Sequence, residues 1–229
     1  MKRIVFLTGA GMSAESGIKT FRDADGLWEG HDVMEVASPE GFAKDPALVL
    51  DFYNQRRRQL LEVVPNAGHT SIAKLEENFA VDVVTQNVDD LHERAGSSKV
   101  LHLHGELLKV RSTGNSADVQ VWKKDLNLGD ICALGHQIRP HIVWFGEAVP
   151  ALETAAALVA QADIVVIVGT SMQVYPAASL ISFAQRSIPK YYIDPKPKIS
   201  YEITTALNME IIEATATDGM QLLTEKLLS

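Results

Sequence analysis

The chain has 229 residues, of which 21 are basic and 29 acidic, so its net charge at pH 7 is −8. This length suits one domain, or a large domain with a small companion, and the acidic balance argues against nucleic acid as a partner. The only cysteine is Cys132, which excludes an internal disulfide and a four-cysteine zinc site and favours a reducing cytoplasm.

The N-terminal stretch MKRIVFLTGAGMSA places basic residues before an apolar run, as a signal peptide does. The run IVFL has only four residues, however. A signal-peptide core needs about 7–15. The run therefore predicts a buried first strand, and no apolar run in the sequence is long enough to span a membrane. We expect a monomeric, cytoplasmic protein without a membrane partner.

Short apolar runs alternate with helical patterns along the chain. Six runs predict strands, at RIVFLTG (3–9), VDVVTQN (81–87), VLHLHG (100–105), IVVIVGT (164–170), KYYID (190–194) and MEIIEA (209–214). Helices are predicted after the capping residue Asn66, over the alanine-rich segment 151–162, after Pro176 and after Asp218. Because the strands lack a clean polar alternation, the pattern predicts an α/β fold with a doubly wound, Rossmann-like parallel sheet.

Two segments interrupt this alternation. Residues 24–60 hold loops and one helix, and residues 106–139 are polar with little periodicity. We expect them to form a small inserted module. The Rossmann-like domain would then consist of residues 1–23, 61–105 and 140–229.

The segment TGAGMSAESGIKTFRD (8–23) follows the first predicted strand. Gly9 and Gly11 allow the backbone to approach a pyrophosphate closely, although a plain tight turn has the same pattern. The dehydrogenase fingerprint is not completed, because the third glycine, Gly17, is displaced and no second strand ends in an acidic residue about 20 positions on. A hydride-transferring dehydrogenase is therefore disfavoured.

Polar side chains follow the second predicted strand, in TQNVDDLHERAG (85–96). Gln86, Asn87 and Asp89 would lie at the carboxyl end of the strand, where α/β proteins bind ligands. A polar turn with capping residues explains them equally well.

A histidine ends the third predicted strand, in LHLHGE (101–106). His104 can serve as a general base near neutral pH, whereas His102 is better explained as a hydrogen-bonded core histidine. Two further loops, RPHIVWFGE (139–147) and GTSMQVYPAA (169–178), follow in the same order along the chain.

Together these segments resemble the sirtuins, a family of NAD-dependent protein-lysine deacylases. The resemblance covers nearly the whole chain and rests on GAGMSAESGIKTFR, TQNVDDLH, HG, RPHIVWFGE and GTSMQVYPA, in family order and spacing. It is closest to the bacterial CobB-type branch, through ADGLW, PEGF, RRRQL, HERAG and HGELLKVR.

The resemblance implies a role for each matched residue. NAD, the co-substrate, would be bound by Gly9, Ala10, Gly11, Phe21, Arg22, Gln86, Asn87, Asp89, Gly169, Thr170, Ser171, Asp194 and Ala216. Asn87 and His104 are the implied catalytic residues, with His104 as the base. The acyl-lysine substrate would contact Val143, Phe145, Gly146, Glu147 and Val174, and the strand-like segments 145–147 and 172–175 would bind its backbone by β-augmentation.

The implied reaction transfers an acyl group from lysine to ADP-ribose. The acyl oxygen attacks C1′ of the ribose and expels nicotinamide, and His104 then activates a ribose hydroxyl. Water finally releases lysine and 2′-O-acyl-ADP-ribose. No metal-activated water is required, because the nicotinamide–ribose bond supplies the leaving group.

The stretch DFYNQRRRQLL (51–61) places an arginine on the apolar face of a predicted helix that Asp45 and Pro46 begin. Tyr53 and Arg56 are neighbours on that face. Burying an unpaired guanidinium costs on the order of several kcal/mol, so Arg56 should have an anionic partner.

Sirtuins that remove succinyl, malonyl or glutaryl groups carry a Tyr-x-x-Arg pair that binds the acyl carboxylate, and YNQR (53–56) matches it. Ala37 matches a small residue that leaves room for the longer chain. The resemblance therefore implies acidic acyl groups, with acetyl as a second substrate. A structural salt bridge is the alternative for Arg56, and we expect Arg57 and Arg58 to face solvent or structural acids.

The sequence departs from the family at its zinc site. Sirtuins carry two Cys-x-x-Cys pairs in the segment that corresponds to 106–138, where this chain has only Cys132, with His136 nearby and Ser112 near the place of the first cysteine. Two ligands do not make a closed structural zinc site, so we predict no zinc. The module would be stabilised by apolar packing around Val119, Val121, Trp122, Leu126 and Leu128.

Two other functions fit the same scaffold. One is an ADP-ribosyltransferase, and the other is a sensor that binds NAD or ADP-ribose without turnover. His104 and an intact acyl-lysine channel argue against the first as the main role, and the presence of His104 and Asn87 argues against the second. The sequence therefore predicts an NAD-dependent deacylase whose partners are acylated-lysine proteins or peptides.

Overall fold

The structure is a computed structural model that describes residues 1–19, 27, 28 and 30–229. The strands in chain order are β1 (Arg3–Thr8), β2 (Leu27–Trp28), β3 (His31–Asp32), β4 (Ala80–Thr85), β5 (Val100–His102), β6 (Gly105–Ser112), β7 (Val119–Val121), β8 (Ile138–Ile142), β9 (Ile164–Val168), β10 (Lys190–Ile193) and β11 (Met209–Ile212). The α-helices are α1 (Val33–Val36), α2 (Pro39–Lys44), α3 (Pro46–Glu62), α4 (Ala67–Lys74), α5 (Leu91–Ala95), α6 (Leu152–Ala160), α7 (Tyr201–Thr205) and α8 (Ala216–Leu228). Short 3-10 helices lie at Ala10–Met12, Ala14–Ser16, Leu75–Glu77 and Ala177–Phe183.

Six strands form one parallel sheet in the order β11–β10–β9–β1–β4–β5. The chain builds outward from β1 to β4 and β5 on one side, and later adds β9, β10 and β11 on the other. The predicted doubly wound α/β fold is therefore confirmed. In such a sheet ligands bind beyond the carboxyl ends of the strands where the winding reverses, which here lies between β1 and β9.

Both faces of this sheet are covered. Ile4 and Phe6 of β1 pack in a cluster with residues of α4 and α8, whereas Val5 and Leu7 pack in a second cluster with residues of α6. Because neighbouring residues of a strand point to opposite faces, a sheet buried on both sides needs apolar side chains at successive positions. This explains why all five residues of β9 are buried.

Helix boundaries follow the capping side chains. Asp45 begins α3 and Asn66 begins α4, and each side chain accepts backbone N–H groups of the first turn, as predicted. The start of α8 differs from the prediction, because Thr215 rather than Asp218 is the cap. Asp218 lies instead in the first turn, where a carboxylate interacts favourably with the helix dipole.

The helix after Pro176 is a 3-10 helix, Ala177–Phe183, rather than the α-helix that the pattern predicts. Ser179 donates its hydroxyl to Pro176 O at 2.7 Å, and Ser182 donates to Ser179 O at 2.6 Å. Hydroxyls that bond to carbonyls three residues back compete with the α-helical pattern. Across the described ranges, no helix has the length and apolar character needed to cross a membrane.

A second sheet has three antiparallel strands in the order β7–β6–β8. Its own cluster joins it to α2 and α3, and consists of Leu50, Val110, Leu126, Cys132 and Ile138, with Phe42 and Trp122 at its edge. The predicted packing of Leu126 and Trp122 in the small module is therefore confirmed.

The prediction that Val119, Val121 and Leu128 help to form this core is wrong. Their exposed fractions are 38 %, 66 % and 56 %. Val119 and Val121 belong to β7, an edge strand that pairs only with β6 and whose three residues are all exposed. The buried side of the module is supplied by β6, a strand that the polar composition of this segment conceals.

Candidate active site

Two glycine turns meet at the carboxyl edge of the sheet, between β1 and β9. Gly11 donates its N–H to Gly169 O at 2.7 Å, and Gly9 donates to the last carbonyl of β9 at 3.1 Å. A Cβ on Gly11 would lie 2.7 Å from Gly169 Cα, and a Cβ on Gly9 would lie 2.6 Å from Thr170 Cβ. Gly169 also has a φ of +61°. Only glycine allows these turns to touch.

The other predicted cofactor residues lie on the loops that follow these strands. Gln86, after β4, donates its Nε2–H to Thr170 Oγ1 at 3.1 Å. Asp194, after β10, is buried and accepts the N–H of Lys196 at 2.8 Å. The remaining ones are Ala10 and Ser171, which are half-buried, and Ala216, which is buried at the start of α8. The predicted residues Phe21 and Arg22 lie outside the described residues.

A buried network joins Asn87 and Asp89 through Ser13. Asn87 Nδ2 donates to Ser13 Oγ at 3.1 Å, and Ser13 Oγ donates to Asp89 Oδ2 at 2.9 Å. Burial raises the pKa of Asp89 to about 6. The hydrogen bonds from the Ser13 hydroxyl and the Leu91 backbone N–H act in the opposite direction. Through Ser13, Asp89 and Asn87 are held in one fixed arrangement. Ser13 belongs to the first glycine motif, but its role was missed because the sequence does not show what it faces.

Two further histidines lie buried behind this network. The ring centroids of His69 and His92 are 4.8 Å apart, and both side chains are at most 1 % exposed. Burial lowers the pKa of His69 to about 4 and the pKa of His92 well below its usual value. Both rings are therefore neutral, and His92 Nε2 lies 3.1 Å from Thr8 Oγ1. They serve as neutral hydrogen-bonding groups in the interior.

His104, the predicted base, follows β5 and is hydrogen-bonded through one ring nitrogen. Its Nδ1 lies 3.1 Å from Gln86 O, and because a carbonyl only accepts, Nδ1 carries the proton and Nε2 keeps its lone pair. Burial lowers the pKa of His104 below its usual value, more than the Gln86 bond raises it. A neutral imidazole with Nε2 as acceptor can take a proton from a hydroxyl. Val143 donates its N–H to His104 O at 2.9 Å, which brings a residue predicted to contact the acyl-lysine beside the predicted base.

His102 is hydrogen-bonded on both ring nitrogens, which confirms its interpretation as a bonded histidine. Nδ1 lies 2.9 Å from Asn87 O and Nε2 lies 2.8 Å from Glu93 Oε1. Burial lowers the pKa of His102, but the bond and charge of Glu93 outweigh burial and raise it overall. His102 and His104 thus fasten two successive carbonyls, those of Asn87 and Gln86, and fix the loop between them.

The residues predicted to bind the acyl group come together around Trp144. Trp144 Nε1 donates to Tyr53 OH at 2.9 Å, and both side chains are buried. Phe145 donates its N–H to Ala37 O at 2.9 Å. Burial raises the pKa of Tyr53 above its usual value, more than the Trp144 bond and two nearby guanidinium groups lower it. The phenol therefore keeps its proton throughout the neutral range.

Glu147 braces the loop that carries Trp144. Its carboxylate accepts from Arg139 Nη1 at 2.8 Å, from Arg111 Nη2 at 3.0 Å and from Trp144 N–H at 2.9 Å. Burial alone would raise the pKa of Glu147, but these partners lower it overall. The side chain is thus committed to partners within the protein.

The two segments expected to be strand-like are not strands in this structure. Residues 145–147 form a turn in which Gly146 has a φ of +88°, and residues 172–175 are irregular. Phe145 is 41 % exposed at the tip of the turn, and Val174 is half-buried. Residues 145–147 form a turn because the Glu147 carboxylate accepts the backbone N–H of Trp144. The backbone must reverse direction for the Glu147 side chain to reach it.

Arg57 corrects the prediction for the arginine run, because it is 1 % exposed instead of facing solvent or an acid. Its Nε donates to Leu107 O at 3.2 Å and its Nη1 donates to Asn54 Oδ1 at 2.6 Å. Arg58 pairs with Asp125 at 2.6 Å, as expected of a structural pair.

Arg56 is half-buried beside Tyr53. Its guanidinium carbon lies 3.4 Å from the ring centroid of Phe52, and its Nη1 donates to Phe52 O at 2.6 Å. A helix face contains steps of both three and four residues, so Arg56 and Arg57 are each one turn from Tyr53. The sequence pattern alone could not decide which of the two is buried.

The predicted zinc-less region is packed rather than open. Ser112 Oγ lies 3.3 Å from Cys132 Sγ, and Cys132 is 5 % exposed. His136 is exposed. In the part of the chain that the structure describes, no three His, Cys, Asp or Glu side chains form a group that could hold a metal ion.

Comparison with known proteins gives consistent matches. The family model described as "Sir2 family" matches residues 9–176. A curated relative from Helicobacter pylori, named NAD-dependent protein deacylase, is 60 % identical over 228 residues, covering 100 % of this chain and 98 % of its own length. Another of that name, from Bacteroides thetaiotaomicron, is 53 % identical and covers 100 % and 99 %. The solved structure of a Sir2 homologue–NAD complex superposes with a TM-score of 0.87 at 39 % identity, covering 100 % of this chain and 91 % of that one.

Proposed function

We propose that this chain, which belongs to the Sir2 family, removes acyl groups that end in a carboxylate, such as succinyl, malonyl and glutaryl, from lysine side chains of proteins. At the coarser level it is an NAD-dependent protein deacylase with NAD as co-substrate. Deacetylation would be a second activity on the same machinery.

The residues at the carboxyl edge fit NAD. The touching turns of Gly11 and Gly169 present bare backbone to a phosphate, and the fixed pair Asn87 and Asp89 presents polar groups to a ribose. When bound, NAD supplies a ribose carbon that the acyl oxygen can attack, with nicotinamide as the leaving group. His104 would accept the proton of a ribose hydroxyl on Nε2, because its Nδ1 already donates to Gln86 O.

The proposed preference for acidic acyl groups is supported by the position of Tyr53 and Arg56 beside the loop that carries Trp144. The Phe145–Ala37 backbone bond holds the loop that carries Trp144 beside Ala37, and the Trp144–Tyr53 bond holds that loop against α3. Arg56 lies one turn from Tyr53 on α3, where its guanidinium carbon is 3.4 Å from the ring centroid of Phe52. A carboxylate that reaches this place would have a cation and a neutral hydroxyl donor to bind.

The experiment compares succinyl-lysine and acetyl-lysine peptides of one sequence, with NAD in excess and the products followed by mass. Arg56→Met should lower the succinyl-to-acetyl ratio of kcat/KM by about ten- to a hundredfold, since a hydrogen bond between charged groups is lost. Arg58→Met is the matched control, because Arg58 pairs with Asp125 on the surface and should leave the ratio as it is. An equal loss of both activities in Arg56→Met would overturn the assignment.

We also propose that the small module folds without zinc. The support is its donor set, because Ser112 stands beside Cys132 where a metal would need a further thiolate. Elemental analysis of purified protein should find no stoichiometric zinc, and EDTA should leave the Tm unchanged. Zinc at one atom per chain that resists dialysis would show the proposal to be wrong.

A further inference from the structure

We propose that Trp144 is a positioning residue that fixes the direction of the Tyr53 hydroxyl and thereby favours acyl groups ending in a carboxylate. This inference rests on the proposed function, because Tyr53 contacts the acyl group only if that function is right. No motif in the sequence connects these two residues, which are 91 positions apart.

The direction of the hydrogen bond carries the argument. An indole N–H can donate but cannot accept, so in the 2.9 Å contact the Tyr53 oxygen must be the acceptor. The hydroxyl hydrogen then points away from Trp144 towards some other acceptor. A carboxylate has only acceptor oxygens, whereas the methyl group of an acetyl has none. Trp144 therefore sets the hydroxyl in the orientation that only the acidic acyl group can use.

The indole itself is held in place from three sides. The Arg139 guanidinium carbon lies 3.3 Å from the Trp144 ring centroid, and Phe42 packs against the ring with a centroid distance of 5.3 Å. The backbone N–H of Trp144 donates to the Glu147 carboxylate, which also holds Arg139. An indole with its ring and backbone both fixed loses little freedom when it holds the phenol, so the orientation exists before substrate binds.

The charges around the site match this assignment. Arg139 is held by its 2.8 Å ion pair with Glu147, a carboxylate that it shares with Arg111, and its guanidinium stacks on the indole. Under the proposed function, Arg56, which lies one turn from Tyr53 on α3, is the cation that the acyl carboxylate would approach. Burial keeps the Tyr53 phenol protonated, because it raises the pKa of the hydroxyl. The anionic end of the acyl group would thus meet one cation and one neutral donor.

Trp144→Phe removes the indole N–H and keeps an aromatic ring for Arg139 to stack on. We expect the succinyl-to-acetyl ratio of kcat/KM to fall about five- to tenfold, the size of one hydrogen bond between neutral groups. Tyr53→Phe should lower the ratio by at least as much. The double variant should be no worse than Tyr53→Phe alone, because Trp144 acts through that hydroxyl. Trp122→Phe is the control, since it removes an indole donor, to Asp125 O at 3.1 Å, in the small module.

Each outcome separates the two hypotheses. If the wild type does not remove succinyl groups, the proposed function fails and this inference falls with it. If the wild type does so and Trp144→Phe keeps the ratio, or if the two single losses add in the double variant, only the inference about Trp144 is wrong. Should Trp144→Phe fail to fold, replacing tryptophan by its benzothiophene analogue removes the donor at nearly constant shape and gives the same readout.

Discussion

The parallel sheet and the small antiparallel module hold their polar groups in different ways. At the carboxyl edge of the parallel sheet, side chains from different loops bond to one another, as Gln86 does to Thr170 and Asn87 does to Ser13. In the module, arginines bond to backbone carbonyls and carboxylates, as Arg57 does to Leu107 O. The first arrangement fixes reactive groups relative to one another, and the second fixes the shape of one binding surface. Changes at the sheet edge should therefore affect every acyl substrate, and changes in the module should affect stability or selectivity.

The largest effect is expected at His104. His104→Ala removes the proposed base, whose backbone carbonyl accepts the N–H of Val143, and should lower kcat/KM by roughly 100- to 10,000-fold for succinyl and acetyl peptides alike, as loss of a general base does. Steady-state rates with both peptides measure this. His136→Ala, in an exposed part of the module, is the control. Full activity in His104→Ala would show that His104 is not the base and that the sheet edge does not carry the chemistry.

The next effect is expected where the glycine turns touch. Gly11→Ala would place a Cβ 2.7 Å from Gly169 Cα and push the two turns apart. The KM for NAD should rise at least about tenfold, because small displacements of binding groups are costly. Gly129→Ala adds a Cβ with open space around it, so its effect should be confined to local backbone strain at a φ of +91°. Equal KM values for NAD in both variants would contradict the requirement for close contact.

A smaller effect is expected in the module, at Arg57. Arg57→Met removes buried bonds to Leu107 O and Asn54 Oδ1 and should lower the free energy of unfolding by about 1–3 kcal/mol. Urea unfolding measures this value. Arg58→Met should cost less than about 1 kcal/mol, because its ion pair with Asp125 is exposed. If the two variants were equally stable, the distinction between the buried and surface arginines would be lost.

The smallest effect concerns the pH dependence of the His102–Glu93 pair. The pKa of His102 is raised above its usual value of 6.5, so protonated His102 stabilises the folded state. This contribution is fully present below pH 6.5 and is lost as pH rises through the raised pKa. The pKa of Glu93 is lowered below its usual value of 4.5, so ionised Glu93 stabilises the folded state. This contribution is fully present above pH 4.5 and is lost as pH falls through the lowered pKa. Glu93→Gln should therefore lower the free energy of unfolding most between these two pH values, and less at pH 8.

The size of this difference should not exceed about 1 kcal/mol, because Glu93 is 39 % exposed and solvent screens the pair. Urea unfolding at pH 5.5 and pH 8 provides the comparison. A difference that grows between pH 5.5 and pH 8 would contradict the assignment of the charged pair.

The sequence predicted the parallel sheet well, because strands buried on both faces leave uninterrupted apolar runs such as IVVIV (164–168). It predicted the start of α3 because Asp45 and Pro46 are local signals. It concealed β6, whose burial alternates within a polar segment, and it could not choose between Arg56 and Arg57, since that choice depends on β6 lying opposite α3. Local sequence patterns predict individual helices and strands, but they do not predict which of these elements contact one another.

The candidate site shows the same division. The residues that carry polar atoms at strand ends, such as Asn87 and His104, stand out by position in the sequence. The residues that hold predicted site side chains do not stand out, because Ser13 bonds to Asn87 and Trp144 bonds to Tyr53, both far along the chain. The direction of the Trp144–Tyr53 bond is a property of two neighbours in space and has no counterpart in sequence spacing.

The central position of β1 in its sheet also governs how this protein is made. A ribosome completes β1 before any of the other strands of this sheet, and β4 is the first neighbour that can pair with it. β9, its other neighbour, begins only at residue 164. Until then one edge of β1 carries unpaired N–H and C=O groups, which makes the nascent chain a template for wrong strand pairing. The contact between Gly11 and Gly169 is therefore absent from any translation product that stops before residue 169, and the free edge of β1 needs protection until β9 has been made.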